Sequence, residues 1–230
     1  MLKPKRKIVK KELKQDALIS TYSKIVNFYE TNKKYISIGL VVVVLSVLGV
    51  VAYLNNQTTN NEKASADLAK VVPFFDAGNY RLAVDGAPEM NVSGLKAIVE
   101  NFGGTTAGNH ARFYLASALF HLGEYDQALE EFSSFDGLGD VLQVSRLAGM
   151  AACYEAKKDF RNAAEQYERA GSLFGTDVFA PENLSHAARN FALSGDKEKA
   201  IELYEKVKKN HPTTAFGRDA DRHISQLSVS

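Results

Sequence analysis

Leu122–Phe132 reads LGEYDQALEEF and follows Ala118, Leu119 and Phe120. It has the form of a junction between two helices. Gly123 can take the left-handed conformation that ends a helix, which a side chain would oppose. Tyr125 packs from the start of the next helix. Ala128 is small enough to let the two helices touch, and Phe132, one turn on, fills the space against whatever follows. The same spacing recurs in GNYRLA from Gly78, KDFRNA from Lys158 and GDKEKA from Gly195. The aligned alanines are Ala83, Ala128, Ala163 and Ala200, separated by 45, 35 and 37 residues. Tyr167 and Tyr204 repeat the role of Phe132, and Ala116, Ala151 and Ala188 stand one turn inside each preceding helix.

A fixed period of this kind marks a stack of helical hairpins, each unable to bury its apolar face alone. The last two spacings lie near the period of about 34 residues found in tetratricopeptide repeats. The first repeat is irregular. Leu68, Val71, Val72, Phe74 and Phe75 form a good first helix, but the second meets Gly86 and Pro88 and stops there. GLKAIVENF (94–102) predicts an inserted short helix, and Thr105 or Thr106 can cap the helix after it. Pro212 ends a helix, and FGRDADRHISQL predicts a final capping helix with a polar outer face.

Ahead of the repeats, Ile36–Leu54 reads ISIGLVVVVLSVLGVVAYL, without a charge and with thirteen Ile, Leu or Val. At 1.5 Å per residue it spans about 28 Å, the thickness of a bilayer core. Its branched aliphatics favour insertion by roughly 4–8 kcal/mol. Residues 1–34 carry ten Lys/Arg against three Asp/Glu, whereas the rest of the chain carries 18 against 24. This asymmetry places the N-terminus in the cytoplasm and the repeats across the membrane. The basic region and the apolar run are both too long for a cleaved leader. Leu13, Ala17, Leu18, Tyr22, Ile25, Val26 and Tyr29 recur at helical spacing, so the basic segment has the pattern of a helix that can lie on anionic lipid. The expected organisation is all-α: a basic segment (1–35), a transmembrane helix (36–54), a polar linker (55–63) and an α-solenoid (64–230).

Catalytic signatures are missing from the sequence. His110, His121, His186, His211 and His223 share no metal-ligand spacing, no phosphate-binding loop is present, and GTTAGNH lacks the lysine of one. The single cysteine, Cys153, sits in an apolar helical run and reads as a small core residue. No enzyme activity, cofactor, metal, nucleic acid or small-molecule substrate is expected. A protein-binding groove is. In stacked hairpins the first helix of each pair lines the concave side. The repeat phase assigns that side His110, Phe113, Ser117, Phe120 and His121, then Ser145, Ala148, Ala152 and Glu155, then Glu182, Ser185, Arg189 and Leu193. An aromatic end beside a polar end suits an extended segment with apolar anchors. Phe113 and Phe120 either face this open groove or pack against the inserted helix 94–102 and close it.

The anchor, the repeats, GTTAGNHARFYLA and the ending HPTTAFGRDADRHISQL together resemble the YfgM-type ancillary subunits of the SecYEG translocon. The resemblance implies a single-pass protein of the bacterial inner membrane with a periplasmic tetratricopeptide domain. Its implied partners are translocon subunits, secreted polypeptides and periplasmic chaperones. The alternative is a structural or assembly subunit of another membrane complex.

Overall fold

The computed structural model describes residues 10–137, 139–173 and 178–229, and among them the chain is all-α but for one two-stranded ribbon. It divides into two compact units, Met1–Asn56 and Gln57–Ser230.

The first unit is helical from Lys10 onward, as part of α1 (Lys10–Asp76). The basic run at residues 1–9 lies outside the described residues. Ile38, Leu40–Leu45, Val47, Leu48, Val50, Val51 and Leu54 all expose more than half of their surface or close to it. The helix is long and apolar enough to cross a membrane, with a mean hydropathy of 2.7 in its most apolar window and none of that window buried.

In the second unit, residues 57–76 of α1 are followed by α2 (Tyr80–Asp85), α3 (Leu95–Phe102), α4 (Thr106–His121), α5 (Tyr125–Ser134), α6 (Asp140–Ala156), α7 (Phe160–Ser172), α8 (Ala180–Leu193), α9 (Lys197–Asn210) and α10 (Ala215–Val229). The first helices of the hairpins are α1, α4, α6 and α8; the second helices are α2, α5, α7 and α9. The four marks read from the sequence are the four hairpin turns, and their backbones are alike. Gly78, Gly123, Lys158 and Gly195 all have positive φ, at 75°, 80°, 62° and 94°. At each turn two amides return to the end of the first helix. Gly123 N donates to Phe120 O at 3.0 Å and Glu124 N to Leu119 O at 2.9 Å, and the pairs at 78/79, 158/159 and 195/196 repeat this pattern. These bonds satisfy carbonyls that a helix end would otherwise leave open. Lys158 takes the same conformation with a side chain, which costs roughly 1–2 kcal/mol relative to glycine.

The alanines do what their size suggests. Ala83, Ala128, Ala163 and Ala200 are fully buried, as are Ala116, Ala151 and Ala188. Phe132, Tyr167 and Tyr204 are each less than a tenth exposed. The core runs along the stack, with Val71, Val84, Leu95, Ile98, Leu115 and Leu119 at one end. Leu184, Phe191, Leu203, Tyr204 and Val207 form the other end. Cys153 is buried, and burial pushes its thiol up to about 12.

The interrupted repeat is built as follows. The helix after Tyr80 stops at Asp85, and Gly86–Ala87 pairs antiparallel with Val92–Ser93 around a 3₁₀ turn at Pro88–Met90. This ribbon was not legible in the sequence. It leads into α3, whose Leu95 and Ile98 are fully buried. Thr105 caps α4, its hydroxyl accepting from Gly108 N at 3.0 Å, and Thr214 caps α10 in the same way through Gly217 N. Both glycines are forced by contact: a Cβ at Gly108 would collide with the Phe102 carbonyl, and one at Gly217 with the His211 carbonyl.

Residues 55–63, read as a linker, carry helical backbone, and the second unit begins at Gln57. The polar side chains have structural work there. Asn61 Oδ1 accepts from Ala107 N at 2.8 Å, which satisfies an amide of the first turn of α4. Gln57 reaches the Gly104 carbonyl at 3.4 Å, and Ala64 is fully buried.

Candidate protein-binding groove

Because the four turns are alike, residues at equal distance ahead of them fall in rows across α1, α4, α6 and α8. Thirteen before the turn stand Ser65, His110, Ser145 and Glu182. Ten before stand Leu68, Phe113, Ala148 and Ser185. Six before stand Val72, Ser117, Ala152 and Arg189, and three before stand Phe75, Phe120, Glu155 and Ala192. The row ten before the turn passes from Leu68 and Phe113 in the first two repeats to Ala148 and Ser185 in the last two, and the charged members of the rows, Glu155, Glu182 and Arg189, all stand in the last two.

At the first two repeats the rows enclose a trough of about 640 Å³ between α1 and α4, closed at one side by Leu142 of α6. His110, Phe113 and Ser117 line it, as the sequence predicts. The opposite wall is Ser65, Leu68, Ala69, Val72 and Pro73, which the sequence reading did not assign to the groove. The signal was available, since Ser65, Leu68 and Val72 stand 45 residues before His110, Phe113 and Ser117, the spacing of Ala83 and Ala128. Among the described lining residues there is no Asp, Glu, Lys or Arg.

The aromatic residues of α4 divide. Phe113 rests against Phe135 and Phe132, with ring centroids 5.3 and 5.7 Å apart, and keeps one side on the trough. Phe120 packs on His121 and Tyr125 at 5.6 and 5.7 Å. His121 in turn stacks on Tyr80, 4.3 Å away and nearly parallel. Neither Phe120 nor His121 lines the trough; both sit where α4 meets its neighbouring turns. None of the ring contacts of Phe113 or Phe120 comes from α3.

Glu155 and Arg189, assigned to the groove on separate helices, pair with each other. Arg189 donates to Glu155 Oε1 at 2.6 Å, and Asn190 Nδ2 donates to Glu155 Oε2 at 3.0 Å. This bridges α6 and α8 across the concave side. Burial and the Glu155 carboxylate raise the Tyr167 hydroxyl above its usual range. Burial, then the Arg189 charge, lower the His186 imidazole. Beyond the bridge, Ser185, His186, Arg189, Tyr204, Phe216 and His223 surround a cavity of about 190 Å³ between α8 and α10. Among the described residues, no three His, Cys, Asp or Glu are grouped to hold a metal ion.

A second ladder crosses the hairpin turns. Arg81 donates to Glu124 at 2.7 Å and Arg161 to Asp196 at 2.7 Å, both from the third residue after one turn to the first after the next. Lys157 pairs with Asp126 in the repeat between them. These exposed pairs fix the register of neighbouring repeats and contribute little to stability.

Comparison with known proteins agrees with this architecture. A family model described as a tetratricopeptide repeat-like domain matches residues 26–166, and one described as a tetratricopeptide repeat matches residues 182–214. Among solved structures, the chain is similar to nearly identical TPR-like repeats from Podospora anserina, attributed to a kinesin light chain. The TM-score is 0.55 and the identity 14%, covering 74% of this chain and 87% of that one. A single-substitution variant of those repeats matches with the same score and identity, over 74% and 86%. At that identity the likeness is one of fold. No curated protein matches.

Proposed function

We propose a function that starts from one premise: the chain belongs to the tetratricopeptide repeat-like domain family, whose stacked hairpins serve as protein-binding scaffolds. In this reading it is a single-pass membrane protein that holds other proteins through the concave face of its repeats. It acts outside the cytoplasm as an accessory factor of the Sec translocon or of the envelope chaperone network. The observation that carries the reading is the uncharged trough between α1 and α4, on the same chain as a helix able to span a membrane. The excess of Lys and Arg before that helix, ten against three acidic residues in 1–34, supports a cytoplasmic N-terminus and an exported repeat domain. The anchor and the stretches GTTAGNHARFYLA and HPTTAFGRDADRHISQL support the translocon assignment through the family resemblance. His110, Phe113 and Ser117, which line the trough, are its proposed contact residues; Phe120 and His121, packed on neighbouring rings, and Glu155 and Arg189, paired with each other, border that site.

A reporter fused after Ser230 tests the topology, and activity only in the exported compartment is the expected result. A photoreactive residue at Phe113, which lines the trough, tests the partner. Adducts with translocon subunits, periplasmic chaperones or secreted chains are expected. Recovery of one unrelated, stoichiometric membrane complex would replace this reading with that of a structural subunit.

A further inference from the structure

The two ends of the groove differ in the groups they leave free, and this selects an occupant. At the Glu155–Arg189 end the two charges pair with each other, and what is left among the described residues is neutral, Ser185 Oγ and Asn190 Oδ1, both buried without a partner. At the trough end the walls are Leu68, Ala69, Val72 and Phe113, and Ser117 returns its hydroxyl to the Phe113 carbonyl at 2.9 Å. A charged side chain resting between these walls loses its hydration and finds no Lys, Arg, Asp or Glu to pair with, which is costly. An acidic peptide terminus is therefore a poor occupant.

Ser65 and His110, the first two members of the row thirteen before the turns, lie exposed at one end of the trough, and neither side chain has a hydrogen-bond partner among the described residues. A hydroxyl and an imidazole beside apolar walls offer what a polypeptide needs on entering such a site: partners for main-chain amides and carbonyls. A hydrocarbon chain has no use for them. The trough follows α1 from Ser65 to Phe75 and α4 from Ala107 to Ser117, a length of about 15 Å on each wall. Extended chain covers that length with about five residues.

We propose that the trough between α1 and α4 takes an uncharged, apolar segment of extended polypeptide. Its side chains rest on Leu68, Val72 and Phe113, and its main chain pairs with Ser65 and His110. The proposal rests on the groove reading above and names the chemistry of its occupant.

The test uses the full chain in lipid nanodiscs and a fluorescein-labelled decapeptide of alternating Leu and Ser. Binding by anisotropy is expected, weakened about tenfold or more when Asp replaces Leu in the peptide. Ala69 is exposed on the trough wall, so Ala69→Trp fills the trough without disturbing the core. It should abolish binding and leave thermal unfolding unchanged. Phe113→Leu should retain binding, and His110→Ala should weaken it. Wild-type affinity in Ala69→Trp, preference for the Asp peptide, or displacement of the Leu peptide by oleate at comparable concentration would each overturn the proposal. Peptide binding with no translocon or envelope adduct in cells would instead sink the assignment of partners and leave the occupant's chemistry standing.

Discussion

The first and last pairs of repeats share a backbone and differ in what they place on it. In both, alanines bring the helices together and a left-handed residue turns the chain. On the concave side the first pair presents Leu68, Val72 and Phe113 around an open trough, whereas the last pair presents Glu155 and Arg189 locked together. The packing positions are thus uniform along the stack, and the row positions vary. Individuality in a repeat protein resides where the next hairpin does not dictate the side chain.

The largest effect that probes this contrast is beneath the trough. Leu115 is 2% exposed in α4, and Leu115→Ala should cost about 2–5 kcal/mol in denaturant unfolding. Leu68→Ala, on the half-buried wall, should cost well under half as much while weakening any occupant. Equal costs would mean that the wall is core.

A smaller effect concerns the turns. Lys158→Gly should raise stability by about 1 kcal/mol, because it gives the third turn the residue used at the other three. The same change at an ordinary helical position would lower it, so the sign alone tests the shared turn geometry.

The bridge is expected to be weaker still. Arg189 is half exposed, so solvent screens the pair, and Glu155→Gln should cost less than about 1 kcal/mol. Its clearer sign is spectroscopic: the Tyr167 hydroxyl should titrate at lower pH once the Glu155 charge is gone, as followed by ultraviolet absorbance. His186 gives the pH signature of the same end. Its pKa is lowered on folding, so the unfolded chain binds more protons as pH falls below 6.5. Stability contributed by the neutral imidazole is present above 6.5 and is lost as pH falls through the lowered value. His186→Phe should flatten the acid limb of a stability-against-pH curve.

The features legible in the sequence were those with one physical solution. A residue with positive φ, a buried alanine and an aromatic one turn later are recognisable at any period, and this located the third turn even though Lys158 stands there instead of glycine. Thr105 and Pro212 announced a helix start and a helix end for similarly local reasons. Features that depend on a distant partner stayed hidden. Asn61 looks like linker until the amide of Ala107, 46 residues away, is seen to need an acceptor. Glu155 and Arg189 each fit a groove row, and only the structure shows that they satisfy one another. Leu68 and Val72 were recognised as helix residues but not as groove residues, because the insertion stretched the first period and obscured their equivalence to Phe113 and Ser117.

The central claim is that the trough of the first two repeats, rather than the concave face as a whole, holds the partner. The row ten residues before each turn tests it directly, with a photoreactive residue placed in turn at Leu68, Phe113, Ala148 and Ser185 of the full-length protein in cells. The account predicts adducts concentrated at 68 and 113 and close to background at 148 and 185. Equal yields along the row, or yields that rise toward 185, would contradict it.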